Sequence, residues 1–172
     1  YYAPSRYVDM YRSLEIPEWE NFHWPARDIN GPHHCKLLPF AEELNWEAWA
    51  NIIRYYYAFT SLIDAQIGRM IEYLQHNSLW ENTIIIFSAD HGETLGSHGG
   101  LTDKGWHHFE ETHRIPLLIR IPGKSFQGEK LEFASLADIY PTILDAAGIS
   151  YPADQIHGRS LLPLLYGENS DW

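Results

Sequence analysis

An aspartate and a histidine stand side by side at positions 90 and 91. They head the stretch Asp90-His91-Gly92-Glu93-Thr94-Leu95-Gly96-Ser97-His98-Gly99. A carboxylate oxygen next to an imidazole nitrogen makes half of a metal site. Carboxylate suits a hard cation such as calcium, whereas imidazole suits a zinc-type ion better, so the pair alone does not name the metal. The competing role for Asp90 is a helix cap after a strand. His98 follows seven residues after His91 on a glycine-rich loop that can fold back. It could transfer a proton or hydrogen-bond a ligand in catalysis, or pack the loop.

These residues need an element to aim them. Thr83-Ile84-Ile85-Ile86-Phe87 is a short apolar, β-branched run and predicts a buried strand over 83–88. Asp90 and His91 then leave its C-terminal end, the edge of an open α/β sheet where ligands bind. Ile115 to Ile121 is a second apolar run closed by Pro122-Gly123, and is the candidate parallel neighbour of the first. Leu131 to Ser135 is expected as a third, shorter strand. Upstream, Asn45 can cap a helix in which Trp49, Ile52, Ile53, Tyr56, Ile63, Ile67, Ile71 and Leu74 recur at helical spacing up to about Gln75. Tyr7 to Tyr11 reads as a short helix, Asp138 to Ala147 as a helix closed by Gly148, and Ser160 to Leu165 as a short amphipathic turn. Residues 1–44 are otherwise an irregular excursion punctuated by five prolines. Helix, strand, loop and strand with helical returns indicate an α/β layered sheet over 45–166.

The chain has 172 residues, 45% of them hydrophobic, which suffices for one domain with a real core. Its formal net charge of −11 argues against nucleic-acid binding and against a long polyanionic substrate. It does not exclude a small anionic substrate, because a bound cation dominates the local field. Cys35 is the only cysteine, so no internal disulfide can form. No apolar run approaches the ~20 residues that span a bilayer, so no membrane partner is expected. The chain begins at Tyr1 without a methionine or a signal peptide and reads as a piece of something longer or as a processed product. The compartment is therefore left open.

Other chemistry-bearing residues have plainer readings. His107, His108 and His113 crowd the same loop, but their spacing matches no zinc signature, so packing or rim roles are expected. Glu110, Glu111 and Arg114 are expected to form an internal ion-pair network that sets the loop. His33-His34-Cys35 could bind a soft metal, with an irregular loop as the simpler reading. Trp46 and Trp49 begin the long helix and are expected in the core. Trp19, Trp24 and Trp106 lie in loops and could stack on a sugar or aryl ring.

Four stretches in order carry a resemblance. Asp90-His91-Gly92-Glu93 with Gly96, His98-Gly99 and Lys104 resembles the type I sulfatases of the alkaline phosphatase superfamily. So do Phe109 to Leu117, Ser135 to Thr142 and Gly158 to Leu165. The resemblance implies an alkaline-phosphatase-like three-layer α/β sandwich with a mostly parallel sheet, only part of which this chain supplies. On it, the whole of 1–172 is part of one catalytic domain that lacks its N-terminal nucleophile segment and its C-terminal subdomain. It further implies one divalent cation, usually Ca²⁺ with Mg²⁺, Mn²⁺ or Zn²⁺ as alternatives, bound in part by Asp90 and His91. Lys104 maps onto a lysine that contacts the sulfate; away from the resemblance it reads as an ordinary exposed lysine beside Asp103.

The same resemblance implies a formylglycine nucleophile made from Cys or Ser in a Cys/Ser-x-Pro-x-Arg motif. This chain has no such motif: Tyr2-Ala3-Pro4-Ser5-Arg6 has Tyr at the nucleophile position, and Cys35 is followed by Lys36-Leu37-Leu38-Pro39. The expected function is hydrolysis of a small sulfate ester, with the nucleophile supplied by the missing part. A phosphodiesterase or phosphonate monoester hydrolase of the same superfamily is the first alternative. An inert fragment without autonomous catalysis is the second, and tight calcium binding by the chain alone would count against it.

Overall fold

The computed structural model describes residues 2–24, 43–102, 108–124 and 128–168. Lys104, Trp106, His107 and the His33-His34-Cys35 stretch lie outside the described residues. The chain divides into two compact units, one of residues 1–80 and 86–118, the other of 81–85 and 119–172.

The first unit is organised by its long helix. Asn45 accepts a hydrogen bond from the Ala48 backbone N–H at 3.0 Å and starts α2 (Trp46–His76), 31 residues or about 46 Å long. The apolar positions at helical spacing bury its N-terminal half: Trp49, Ala50, Ile53 and Ala58 are sealed from solvent. α1 (Ser5–Tyr11) packs against α2, placing Ala3 and Tyr7 on Ala58, and the Tyr11 hydroxyl shares a 2.6 Å hydrogen bond with Ser61. The irregular chain that follows runs back along the helix. Ile16 packs on Ala50 and Ile53, and Phe22 on Trp49. The Trp46 indole N–H donates to the Ile16 carbonyl at 3.0 Å, and Trp19 meets Trp46 edge-to-face at 5.4 Å. Residues 12–24 are therefore held by aromatic burial rather than by regular structure. Trp49 is in the core as expected, whereas Trp46 is half-buried at its edge.

The strands are β1 (Ile85–Ser88) and β2 (Leu117–Arg120), hydrogen-bonded neighbours in a two-stranded sheet. Both are shorter than the apolar runs suggested, and β1 is half-buried rather than buried: Phe87 and, on β2, Leu118 are exposed. Each strand has one partner among the described residues, so apolar content exceeds the cover available. The expected third strand is absent. Leu131 to Ser135 takes no strand conformation, and Leu131 and Phe133 are almost wholly exposed. An apolar run becomes a strand only where another strand accepts its ladder.

In the second unit, Ser135 and Asp138 form a capping box around a 3-10 turn, Leu136–Asp138, that leads into α5 (Ile139–Ala146). The same Asp138 accepts from the Arg159 backbone N–H at 2.9 Å. Thr142 Oγ1 donates to the Asp138 carbonyl and accepts from the Leu161 N–H at 2.8 Å. Those bonds hold the turn that enters α6 (Leu162–Tyr166). The 135–142 and 158–165 stretches thus anchor one another. Among the described residues no helix is long and apolar enough to cross a membrane.

Candidate active-site loop

Ser88 ends β1, and its hydroxyl donates to the Pro116 carbonyl at 2.9 Å. The chain then turns through Asp90 and His91. Asp90 Oδ1 accepts the His91 backbone N–H at 3.0 Å, which fixes the carboxylate beside its neighbour. His91 Nδ1 lies 2.8 Å from the Gly92 carbonyl. A carbonyl only accepts, so Nδ1 carries the proton and Nε2 presents a lone pair in the neutral ring. That Nε2 is 3.5 Å from Asp90 Oδ2. The two side chains therefore face the same side, with 83% of the Asp90 side chain open to solvent.

Two electron-rich atoms that face each other call for a proton or a cation between them. Donors each about 2.4 Å from one ion and roughly a right angle apart stand ~3.4 Å from each other, so the pair has the spacing of adjacent ligands. Among the described residues no group of three His, Cys, Asp or Glu converges to complete such a site. The two donors fit part of a coordination shell.

Backbone bonds pin this loop. The Gly92 N–H donates to the Thr112 carbonyl at 2.9 Å and the Glu93 N–H to the Glu111 carbonyl at 3.0 Å, tying it to α4 (Glu110–His113). The approach is close enough that a Cβ at Gly92 would stand 1.9 Å from the Glu111 carbonyl oxygen. Gly96 (φ +86) lies against the Trp49 ring, where a Cβ would come within 2.6 Å. Leu95 (φ 45) and His98 (φ 52) also take left-handed backbone, a strain of order 1 kcal/mol or more each that the surrounding bonds must offset. The His98 and Gly99 kink interrupts the short helical turn α3 (Ser97–Gly100).

His98 does not stand free at the rim. Its side chain is 12% exposed, and Nε2 lies 3.2 Å from Glu111 Oε1. Its ring stacks on Phe109 at 3.6 Å, with the two planes nearly parallel. Asn21, from the irregular excursion, donates to Glu111 Oε1 at 2.8 Å. Burial pushes the Glu111 carboxyl up, but hydrogen bonds from its own backbone, Asn21 and His98, with the His98 charge, outweigh it. The pKa is held below the usual carboxylate value. A carboxyl depressed in the folded state stabilises the fold above its unfolded pKa, and that contribution is lost as pH falls through the folded pKa. The native protein is therefore expected to lose stability faster than Glu111→Gln as pH drops from neutral to below the ordinary carboxylate range. Urea midpoints across pH measure this, and parallel curves for the two proteins would remove Glu111 from that role.

The internal network differs from the one expected. Glu110 and Arg114 pair at 3.7 Å on the surface, both largely exposed, while Glu111 turns inward to His98 and Asn21. A helical turn points consecutive side chains in different directions, so the two glutamates cannot share a partner. His108 and His113 stack at 4.9 Å with Nδ1 and Nε2 2.9 Å apart on the surface, as rim residues. Asn21 was not visible as a site residue in the sequence: its partner is 90 positions away and no local pattern marks it.

A profile of the Sulfatase family matches residues 1–149. The chain belongs to the Sulfatase family. It is 34% identical to an arylsulfatase of Clostridium perfringens over 173 residues, which is 98% of this chain and 35% of that protein. Among solved structures, the phosphonate monoester hydrolase of Agrobacterium radiobacter aligns with a TM-score of 0.65 at 34% identity, covering 74% of this chain and 25% of that one. A second, described as in complex with its substrate D-glucosamine-2-N,6-O-disulfate, aligns with a TM-score of 0.70 at 25% identity over 99% of this chain and 47% of that one. The chain thus spans well under two thirds of the proteins it matches. Its fold is a part of their alkaline-phosphatase-like α/β architecture, with β1 and β2 as a small sheet from which the Asp90–Glu93 loop leads.

Proposed function

We propose that this chain contributes the later half of a metal-assisted sulfate-ester hydrolase site, and that Asp90 and His91 hold a divalent cation there, calcium in the first instance. The observation that carries the reading is the 3.5 Å pairing of Asp90 Oδ2 with His91 Nε2 on the loop after β1, in a chain of the Sulfatase family. Bound there, such an ion would polarise the ester and offset charge on the sulfuryl oxygens.

The chain's own residues supply the rest. The Gly92 carbonyl holds the His91 tautomer that leaves Nε2 able to ligate. Asp90 brings a negative charge that only a cation makes compatible with an anionic substrate. Lys104 is assigned to the sulfuryl oxygens, where a compact ammonium suits a tetrahedral anion. His98 is assigned a positioning role. Its nitrogen already answers to Glu111 and Asn21, and its ring is stacked, so it sets the loop rather than relaying a proton. The formylglycine nucleophile implied by the resemblance would come from outside these residues.

A phosphonate or phosphate diester substrate is the second reading, favoured by the 34%-identical phosphonate monoester hydrolase. The test compares aryl sulfate, aryl phosphonate monoester and aryl phosphate diester as substrates, with and without added calcium. It is run on this chain alone and within any longer polypeptide that carries it. Cation-dependent turnover with aryl sulfate preferred supports the proposal. Preference for the phosphorus esters replaces it with the second reading, and cation-independent turnover overturns it.

A further inference from the structure

His108 and His113 flank the turn of α4 and meet across it. Phe109 caps α4 in extended backbone, so His108 stands before the turn and His113 closes it. His108 Nδ1 and His113 Nε2 are 2.9 Å apart, while the ring centres are 4.9 Å apart and the planes inclined by 27°. The rings therefore meet nitrogen to nitrogen, and both side chains are open to water. The turn beneath them is fixed. The Phe109 carbonyl accepts from the Thr112 and His113 N–H groups at 3.0 and 3.1 Å and from the Thr112 hydroxyl at 2.9 Å, and Thr112 is buried. The Gly92 and Glu93 N–H groups tie the same turn to the loop after β1. Two imidazoles are thus held together on a preformed support, facing solvent.

We propose that His108 and His113 form a binding site for a divalent transition metal, copper(II) above all, built from residues distinct from the Asp90–His91 pair. The spacing selects the ion. Imidazole nitrogens lie about 2.0–2.1 Å from such metals, so two at a right angle stand ~2.9 Å apart and two at the tetrahedral angle ~3.4 Å. The observed 2.9 Å is the right-angled case, which suits the tetragonal preference of copper(II) or nickel(II) over tetrahedral zinc. Affinity for nitrogen donors also peaks at copper. Two neutral nitrogens without an oxygen ligand are a poor match for calcium. In the metal-free pair the same spacing is an N–H···N hydrogen bond, in which one ring donates. Coordination moves that proton to the donor ring's other nitrogen. Both facing atoms then present lone pairs to the ion, and water completes the shell. The chain's net charge of −11 favours capture of a cation. The site is independent of the hydrolase reading, since it involves neither ester nor nucleophile.

The test titrates copper(II), nickel(II) and zinc(II) separately into the full chain, with calcium in excess and glycine as competitor. The chain carries Cys35→Ser, which removes a thiol that would bind and reduce copper. NMR of the histidine rings and EPR of the copper complex read the site. Substoichiometric copper should broaden the His108 and His113 ring signals before those of any other histidine. The EPR spectrum should show a tetragonal ion with two in-plane imidazole nitrogens. Copper should bind about tenfold or more tighter than zinc, and His108→Ala and His113→Ala should each weaken copper about tenfold or more. Both positions are exposed, so the metal-free thermal midpoint of either variant should stay where it was. Broadening that begins at His91 or His23, zinc bound as tightly as copper, or an unchanged copper affinity in either variant would each overturn the proposal. No readout involves turnover, so its failure leaves the hydrolase reading standing, and failure of the ester assays leaves the copper site measured.

Discussion

Replacing Asp90 by alanine, in a preparation that hydrolyses aryl sulfate, is expected to lower kcat/KM by about three orders of magnitude or more. A cation that stabilises a developing anion contributes several kcal/mol to the transition state, and about 4 kcal/mol is a thousandfold. Asp90 is the anionic member of the donor pair, so its loss leaves one neutral imidazole, too weak to hold a hard ion. The fold should barely respond. The carboxylate is largely in water, and within the loop Oδ1 accepts from the next backbone N–H. The two quantities to measure are therefore aryl sulfate turnover against calcium concentration and the thermal midpoint. Turnover within tenfold of the native protein, at an unchanged midpoint, would remove Asp90 from the site. His91→Ala should fall in the same direction with a smaller loss, because it removes a neutral ligand.

Gly92→Ala should do the opposite, harming the fold first. A methyl group there would sit 1.9 Å from the Glu111 carbonyl oxygen, well inside contact distance, and that neighbour is backbone. Relief requires the loop to leave α4. That breaks the hydrogen bonds from the Gly92 and Glu93 N–H groups to Thr112 and Glu111. The expected loss is about 3 kcal/mol or more, at the upper end for single substitutions. A urea midpoint shift measures it, and a loss below about 1 kcal/mol would show that the loop has a second packing open to it. The His91 tautomer also depends on the Gly92 carbonyl. Residual folded protein should therefore bind calcium less tightly.

The long helix and the candidate donor pair were legible in the sequence. The period of Trp49, Ile52, Ile53 and Tyr56 located α2, and Asn45 marked its start, because a helix broadcasts itself through local spacing. Asp90 and His91 stood out because adjacent donors after an apolar run need no distant partner to be recognised. The run at Leu131 shows the limit: the same local signal led to no strand, since pairing depends on a neighbour elsewhere in the chain. Glu111 shows another. Sequence grouped it with Glu110 and Arg114, whereas one helical turn sends the two glutamates in different directions.

The motif stretches were present in the linear chain; the donor pair pointed to a cation, and the resemblance to the type I sulfatases to an anionic ester. What the chain order could not say is that they hold one another two by two, 90–99 against 109–113 and 135–142 against 158–161. Nor could it say that Asn21 and Ser97 belong beside Glu111 and Trp19. Helical period, caps and adjacent ligands are properties of neighbours in sequence, set by short-range sterics and hydrogen bonding. The cavity lined by Trp19, Asn21, Ser97 and Glu111 and the half-buried His98–Glu111 pair exist only after distant segments have come together, and it is that packing which orders the partners.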